Sequence, residues 1–236
     1  MSIKTYFTSE ELDSTDNLHL KELLDSLTDK VGDMEYPCVG AKAALNSKQL
    51  RIGVYDHMAT DETTGRLGHD LQHYIAETLA SDSEYMTMVA FFREEEATEE
   101  IDFEKKLWAQ LQLLHNSDKS PEPWDSEVSS NPADTNFSFS YNGTAFFVVG
   151  LHPNASRRAR RLGYTAMAFN LHRQFEQLRE KGVYENMKKV IRVRDAAYDG
   201  SINPMLKDFD QGLEAPQYSG RHVDESWKCP FLAGKP

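Results

Sequence analysis

The chain has 236 residues, with 26 Lys or Arg against 38 Asp or Glu, for a formal charge of −12. Such an acidic balance argues against a general nucleic-acid binder, whose surface field is basic. No run of about 18 apolar residues offers a membrane span, and the first residues lack the apolar core of a signal peptide, so a cytoplasmic protein is expected.

Helical spacing of Leu20, Leu23, Leu24 and Leu27 predicts a helix within 9–30, with Ser14 to Asn17 offering capping oxygens. Pro37 and Gly40 mark a bend before a small-residue segment. Residues 50–57 read as a strand, 67–80 as a helix and 85–92 as a second strand. The segment 93–106 carries seven acids and three bases and runs into a helical WAQLQLLH. Residues 116–134 hold three prolines and no periodicity, which predicts a long loop acting as a lid or covering segment.

NFSFSYNGTAFFVVGL (136–151) predicts a hairpin, because Asn142-Gly143 suits the positive φ of a tight turn. Helices are predicted over 165–180 and 184–198, with Gly182 as the stop between them, and a C-terminal wrap follows from Gly200. Without regular βαβ alternation the order of elements predicts one α+β domain over 1–236, its sheet mostly antiparallel. Twelve Phe, ten Tyr and three Trp are enough to close its core.

Four side-chain groups could carry chemistry. In LHPNASRRARR, His152 precedes Arg157, Arg158, Arg160 and Arg161. Guanidinium forks bind carboxylate or phosphate two-pronged, so these arginines serve either an outside anion or the chain's own acids. His152 can be a metal or haem ligand, a base or a satisfied turn histidine. Cys229 in WKCPF is either an iron ligand or an inert thiol among aromatics. His69 and His73 share one helix face at i and i+4, without the Glu of a zinc protease, and an exposed polar face accounts for them. His172 lies among Phe169, Leu171 and Phe175, as a core histidine or an axial ligand. Only two cysteines, Cys38 and Cys229, and no CxxC pair speak against a disulfide scaffold and a thiol-rich zinc site. No GxSxG, Walker loop or GxGxxG is present.

YPCVGAKAAL, NFSFSYNGTAFFVVGLHPNASRRARR, FNLHRQFEQLREKGVYENMKKVIRVRD, INPML, QYSGR and WKCPF, in that order, resemble the YqcI/YcgG family from about Tyr36 to Phe231. Characterised relatives in that family are haem-dependent N-hydroxylases of guanidino groups, including that of arginine. The resemblance implies a b-type haem monooxygenase that takes O2, an external electron donor and a small guanidino or amino substrate, with a second copy of the chain as an optional homodimer partner. It places His152, Arg157, Arg158, Arg160, Arg161, His172 and Cys229 around the haem, with His152 or Cys229 as axial ligand and Cys38 as a third candidate. Phe137, Phe139, Phe146, Phe147 and Phe169 would line the slot, and Asp195, Asp199, Asp208 or Glu214 would orient a cationic substrate. The alternatives are a haem carrier or redox sensor without turnover, and an anion-binding protein without haem.

Overall fold

Six strands form one sheet in the computed structural model, which describes residues 4–81, 83–96, 99–207 and 211–234. The strands are β1 (Tyr6–Thr8), β2 (Leu50–Tyr55), β3 (Thr87–Phe92), β4 (Phe139–Tyr141), β5 (Thr144–Leu151) and β6 (Thr165–Leu171), in the order β1-β2-β3-β6-β5-β4. Only β2 and β3 run parallel, and the remaining pairings are antiparallel. The helices are α1 (Ser9–Asp13), α2 (Leu18–Gly32), α3 (Val39–Asn46), α4 (Asp61–Leu79), α5 (Glu100–Ser117), α6 (His172–Glu180) and α7 (Tyr184–Asp199). The fold is α+β with a mostly antiparallel sheet, as the order of elements predicts.

Local chemistry fixes many boundaries. Thr8 and Glu11 form a reciprocal capping box on α1, Asn17 caps α2 through the amides of His19 and Leu20, and Thr60 caps α4 through Thr63. Asn142 and Gly143 take φ of 51° and 70°, the conformation a two-residue hairpin needs. Gly182 ends α6 at φ 69°.

The sequence-based expectation fails over 165–171. This segment is strand β6 and not the first half of a helix. Its backbone pairs on both edges, with β3 from Met88–Phe169 to Phe92–Thr165 and with β5 from Phe146–Leu171 to Leu151–Ala166. Two full ladders outweigh the helix propensity of Ala, Met and Leu. The helix begins only at His172. The small-residue segment after Cys38 is helical, and β1 adds an edge strand that the sequence pattern does not announce.

Alternation along β6 gives the sheet two unlike faces. Met167 and Phe169 point into an aromatic layer with Tyr74 of α4 and Phe103 and Trp108 of α5, joined by Phe137, Phe139, Phe146, Tyr218 and Phe231. Ala166 and Ala168 point the other way, beneath α2 and α3. Gly150 lies in register with Met167 on the aromatic face, where a Cβ would come within 2.5 Å of the Phe103 ring.

The C-terminal wrap is fastened to α5. Buried Glu104 accepts from Arg221 Nε at 2.6 Å, Trp227 Nε1 at 2.8 Å and Ser219 Oγ at 3.3 Å. The loop after α5 is tied to the hairpin, since Asp118 accepts from the Asn142 amide at 2.6 Å and Asp125 from the Ala145 amide at 3.1 Å. Its Trp124 packs among Phe137, Phe139 and Phe231, so this loop covers the aromatic face.

Because the Phe103 ring has no room to retreat in a packed core, Gly150→Ala is expected to cost about 1–3 kcal/mol. Urea unfolding should show a lower midpoint at unchanged slope. An unchanged midpoint would contradict the close contact.

Candidate functional site

The small-residue face carries a cavity of about 320 Å³, within the usual range for small-molecule sites. Its floor is the row Val89–Ala168–Val149, followed by Thr87, Asn170 and Phe147 one step along the strands. Leu27 and Val31 of α2, Tyr36, Cys38 and Ala41 at α3, and Met187 and Ile191 of α7 supply apolar walls. His172 and Gln174 enter from α6, and Arg160, Arg179, Lys188 and Arg192 bring positive charge.

Cys38 is the N-cap of α3, its Sγ accepting from the Ala41 amide at 3.4 Å. Burial pushes this thiol up, while the helix-end amides of Ala41 and Gly40 pull it down. Burial holds His172 below the ordinary histidine range, opposed by Glu176. Arg160 spends three N–H groups on the carbonyls of Gly150, Tyr218 and Gln217, at 3.0, 3.2 and 2.9 Å. A guanidinium has five N–H donors, so two remain beyond these.

The other predicted residues go elsewhere. Arg157 pairs with Asp195 at 2.9 Å and Asp199 at 3.6 Å, Arg158 stacks 4.3 Å from the Tyr198 ring centre, and Arg161 donates to the carbonyls of Ala155 and Ser156. The counter-charges of Arg157 come from α7 and not from the acidic stretch 94–104. Asp195 also accepts from the Asn203 amide, and Asp199 from the amides of Arg158 and Ala159. Asp208 lies outside the described residues.

His152 is fully buried and stacked 4.4 Å from Phe103, and neither ring nitrogen has a partner among the described residues. It does not line the cavity, and burial holds it below the ordinary histidine range. Cys229 packs against the aromatic layer, where burial pushes its thiol up to about 12. Of the five phenylalanines expected to form a slot, Phe137, Phe139, Phe146 and Phe169 pack against protein on that same face, and only Phe147 reaches the cavity. The expected slot phenylalanines thus fall on both faces of the sheet, and the room in the recess comes from Ala168 and the valines beside it. His69 and His73 lie on α4 along a separate cleft with Asp70 and Glu77. Among the described residues no group of three His, Cys, Asp or Glu side chains is placed to hold a metal ion.

A haem requires only one or two protein donors, an apolar seat and cations for its propionates. The cavity provides Cys38 and His172, the Val89–Ala168–Val149 floor, and Arg160 with the α7 cations, so its residues fit that group. Sequence reasoning missed Gln174, Lys188 and Arg192. Spacing of small residues at Ala166 and Ala168 is the signal that could have found the recess.

Glu214 also lines the cavity. Its Oε1 accepts from Ser138 Oγ at 2.8 Å and Tyr218 Oη at 2.5 Å, and burial raises its pKa to about 8. The folded state therefore holds a proton that the unfolded chain, near 4.5, releases. Stability should fall as pH rises from about 5 to about 8, and Glu214→Gln should flatten that fall in chemical denaturation. Equal slopes in both proteins would contradict the buried, protonated carboxyl.

The family model of the YqcI/YcgG family matches residues 27–232. Over 220 residues the chain is 30% identical to "Uncharacterized protein YqcI" of Bacillus subtilis (strain 168), covering 89% of this chain and 86% of that protein. No solved structure matches. No helix among the described residues is long and apolar enough to cross a membrane. With the match spanning most of its length, the chain belongs to the YqcI/YcgG family.

Proposed function

We propose that this protein is a haem-dependent monooxygenase that N-hydroxylates a guanidino or amino group of a small molecule, with haem b in the sheet-face cavity. The observation that supports this reading is the meeting, in one apolar recess, of a thiol, an imidazole and several cationic side chains. When bound, the haem supplies O2 activation with electrons from an external donor.

The chain's own residues do the rest. Cys38, the N-cap of α3, would be the favoured donor to the iron, with the helix-end amides of Ala41 and Gly40 opposing the larger upward push that burial gives its thiol, and His172 is the other donor group lining the cavity. Arg160, anchored by three carbonyls, presents its two remaining N–H groups without having to reorganise, as do anchored donors in other charge-binding sites. Valine and alanine on the floor and the apolar faces of α2 and α7 exclude water from the reacting centre. Arg157, Arg158 and Arg161 act one step back, bracing the segment that delivers Arg160 against α7.

Absorbance spectra of haem-supplemented protein test the seat. A Soret band is expected, with Cys38→Ala shifting the carbon monoxide difference spectrum and His152→Ala and Cys229→Ala leaving it as in the parent. A colourless protein sinks the proposal, and a shift caused only by His152→Ala or Cys229→Ala moves the haem away from this cavity. A normal haem spectrum with no hydroxylated product, given O2, a reductase and a panel of guanidines and amines, marks the protein as a carrier or sensor instead.

A further inference from the structure

Carboxylates that face the cavity are mostly engaged. Glu84 is paired with Lys181, and Asp195 with Arg157. Glu214 differs. It is 5% exposed, forms no ion pair among the described residues, and takes both of its described hydrogen bonds on the single oxygen Oε1. The second feature is Gln174 of α6, 4% exposed and lining the same cavity, whose Nε2 has no hydrogen-bond partner among the described residues. A buried amide N–H left unpaired costs about 1–3 kcal/mol, so the site gains by receiving an acceptor atom. A buried carboxyl that burial holds neutral, with Arg179 acting on it only through space, can ionise when a cationic donor arrives at its second oxygen.

We infer that Glu214 and Gln174 form a paired recognition site for an amphoteric small molecule, Glu214 taking a cationic N–H group and Gln174 Nε2 taking a carboxylate or carbonyl oxygen. The pair refines the substrate class and rests on the cavity being the substrate site; it does not depend on which residue ligates a haem. Ser138 and Tyr218 hold Glu214 Oε1 from two sides, which fixes the carboxyl plane and leaves Oε2 for the ligand. The groups facing Glu214 are Tyr218, Ser138 and Arg179 of α6. None is a second carboxylic acid or a histidine, and burial with the Glu214 contact pushes the Tyr218 phenol further up, so arrival of a cation is answered by loss of the Glu214 proton. Because that carboxyl is protonated in the free protein below about pH 8, binding of a cation there expels close to one proton at pH 7.

Calorimetry on the full-length chain with L-arginine, agmatine and L-citrulline separates the two contacts. Agmatine lacks the carboxylate, and citrulline replaces the guanidinium with a neutral urea while keeping the α-ammonium, so the preference over citrulline reads a guanidinium on Glu214. The parent protein should prefer arginine to each by about tenfold or more, the usual worth of a buried charged hydrogen bond. Glu214→Gln should erase the preference over citrulline and the buffer-dependent proton release. Gln174→Leu should erase the preference over agmatine and leave that over citrulline. Equal affinity for all three ligands, or preferences unchanged in both variants, would overturn the pair. The absorbance of the same samples keeps the two ideas apart. Preferences without a haem band uphold the pair while the monooxygenase reading fails, and a haem band without preferences does the reverse.

Discussion

The whole molecule turns on the alternation of small and large side chains along the central strand β6. Ala166 and Ala168 stand on one side, and Met167 and Phe169 on the other. Since β6 is paired along both edges, its register is fixed by its neighbours, and a one-residue slip would exchange the faces. The large side closes over a dense aromatic layer that also buries His152 and covers itself with the C-terminal wrap. The small side leaves a recess that α2, α3, α6 and α7 surround without filling. One strand thus gives one face a packed core and the other an open recess.

Charge follows the same division. An acidic protein concentrates four arginines in five positions, yet three of them are spent holding the post-hairpin segment to α7 and to its own backbone. The fourth, Arg160, reaches the recess as a pre-anchored cation. Arg157, Arg158 and Arg161 do not line the recess, so truncating any of them would reach it only through the position of Arg160. Glu214 is set by a neighbouring piece of chain, since the turn that follows it supplies the Gln217 and Tyr218 carbonyls that hold Arg160. A single short turn therefore positions one acid and one base of the cavity together.

Much of the fold was legible because its signals are local. Asn142-Gly143 specifies its hairpin, Asn17 and Gly182 mark helix ends, and leucine spacing marks α2. β6 is not legible in the sequence because its strand state comes from two long-range ladders that no nearby residue encodes. The recess is hidden with it, since a helix over 165–171 has no small-residue face to leave open. His152 and Cys229 stood out as chemistry-bearing types in polar or aromatic contexts, but their partners in space are Phe103 and the aromatic layer. Cys38 looked the weakest of the ligand candidates. Its standing comes from capping α3 directly at the recess, a relation visible only in three dimensions.

Filling the recess separates ligand space from stability. In Ala168→Phe a ring would occupy the floor between Val89 and Val149, far from the aromatic face. The variant should keep the parent's circular dichroism and lose haem uptake in a haemin titration. Uptake at the parent's affinity, in a folded Ala168→Phe protein, would show that the recess is not the haem seat.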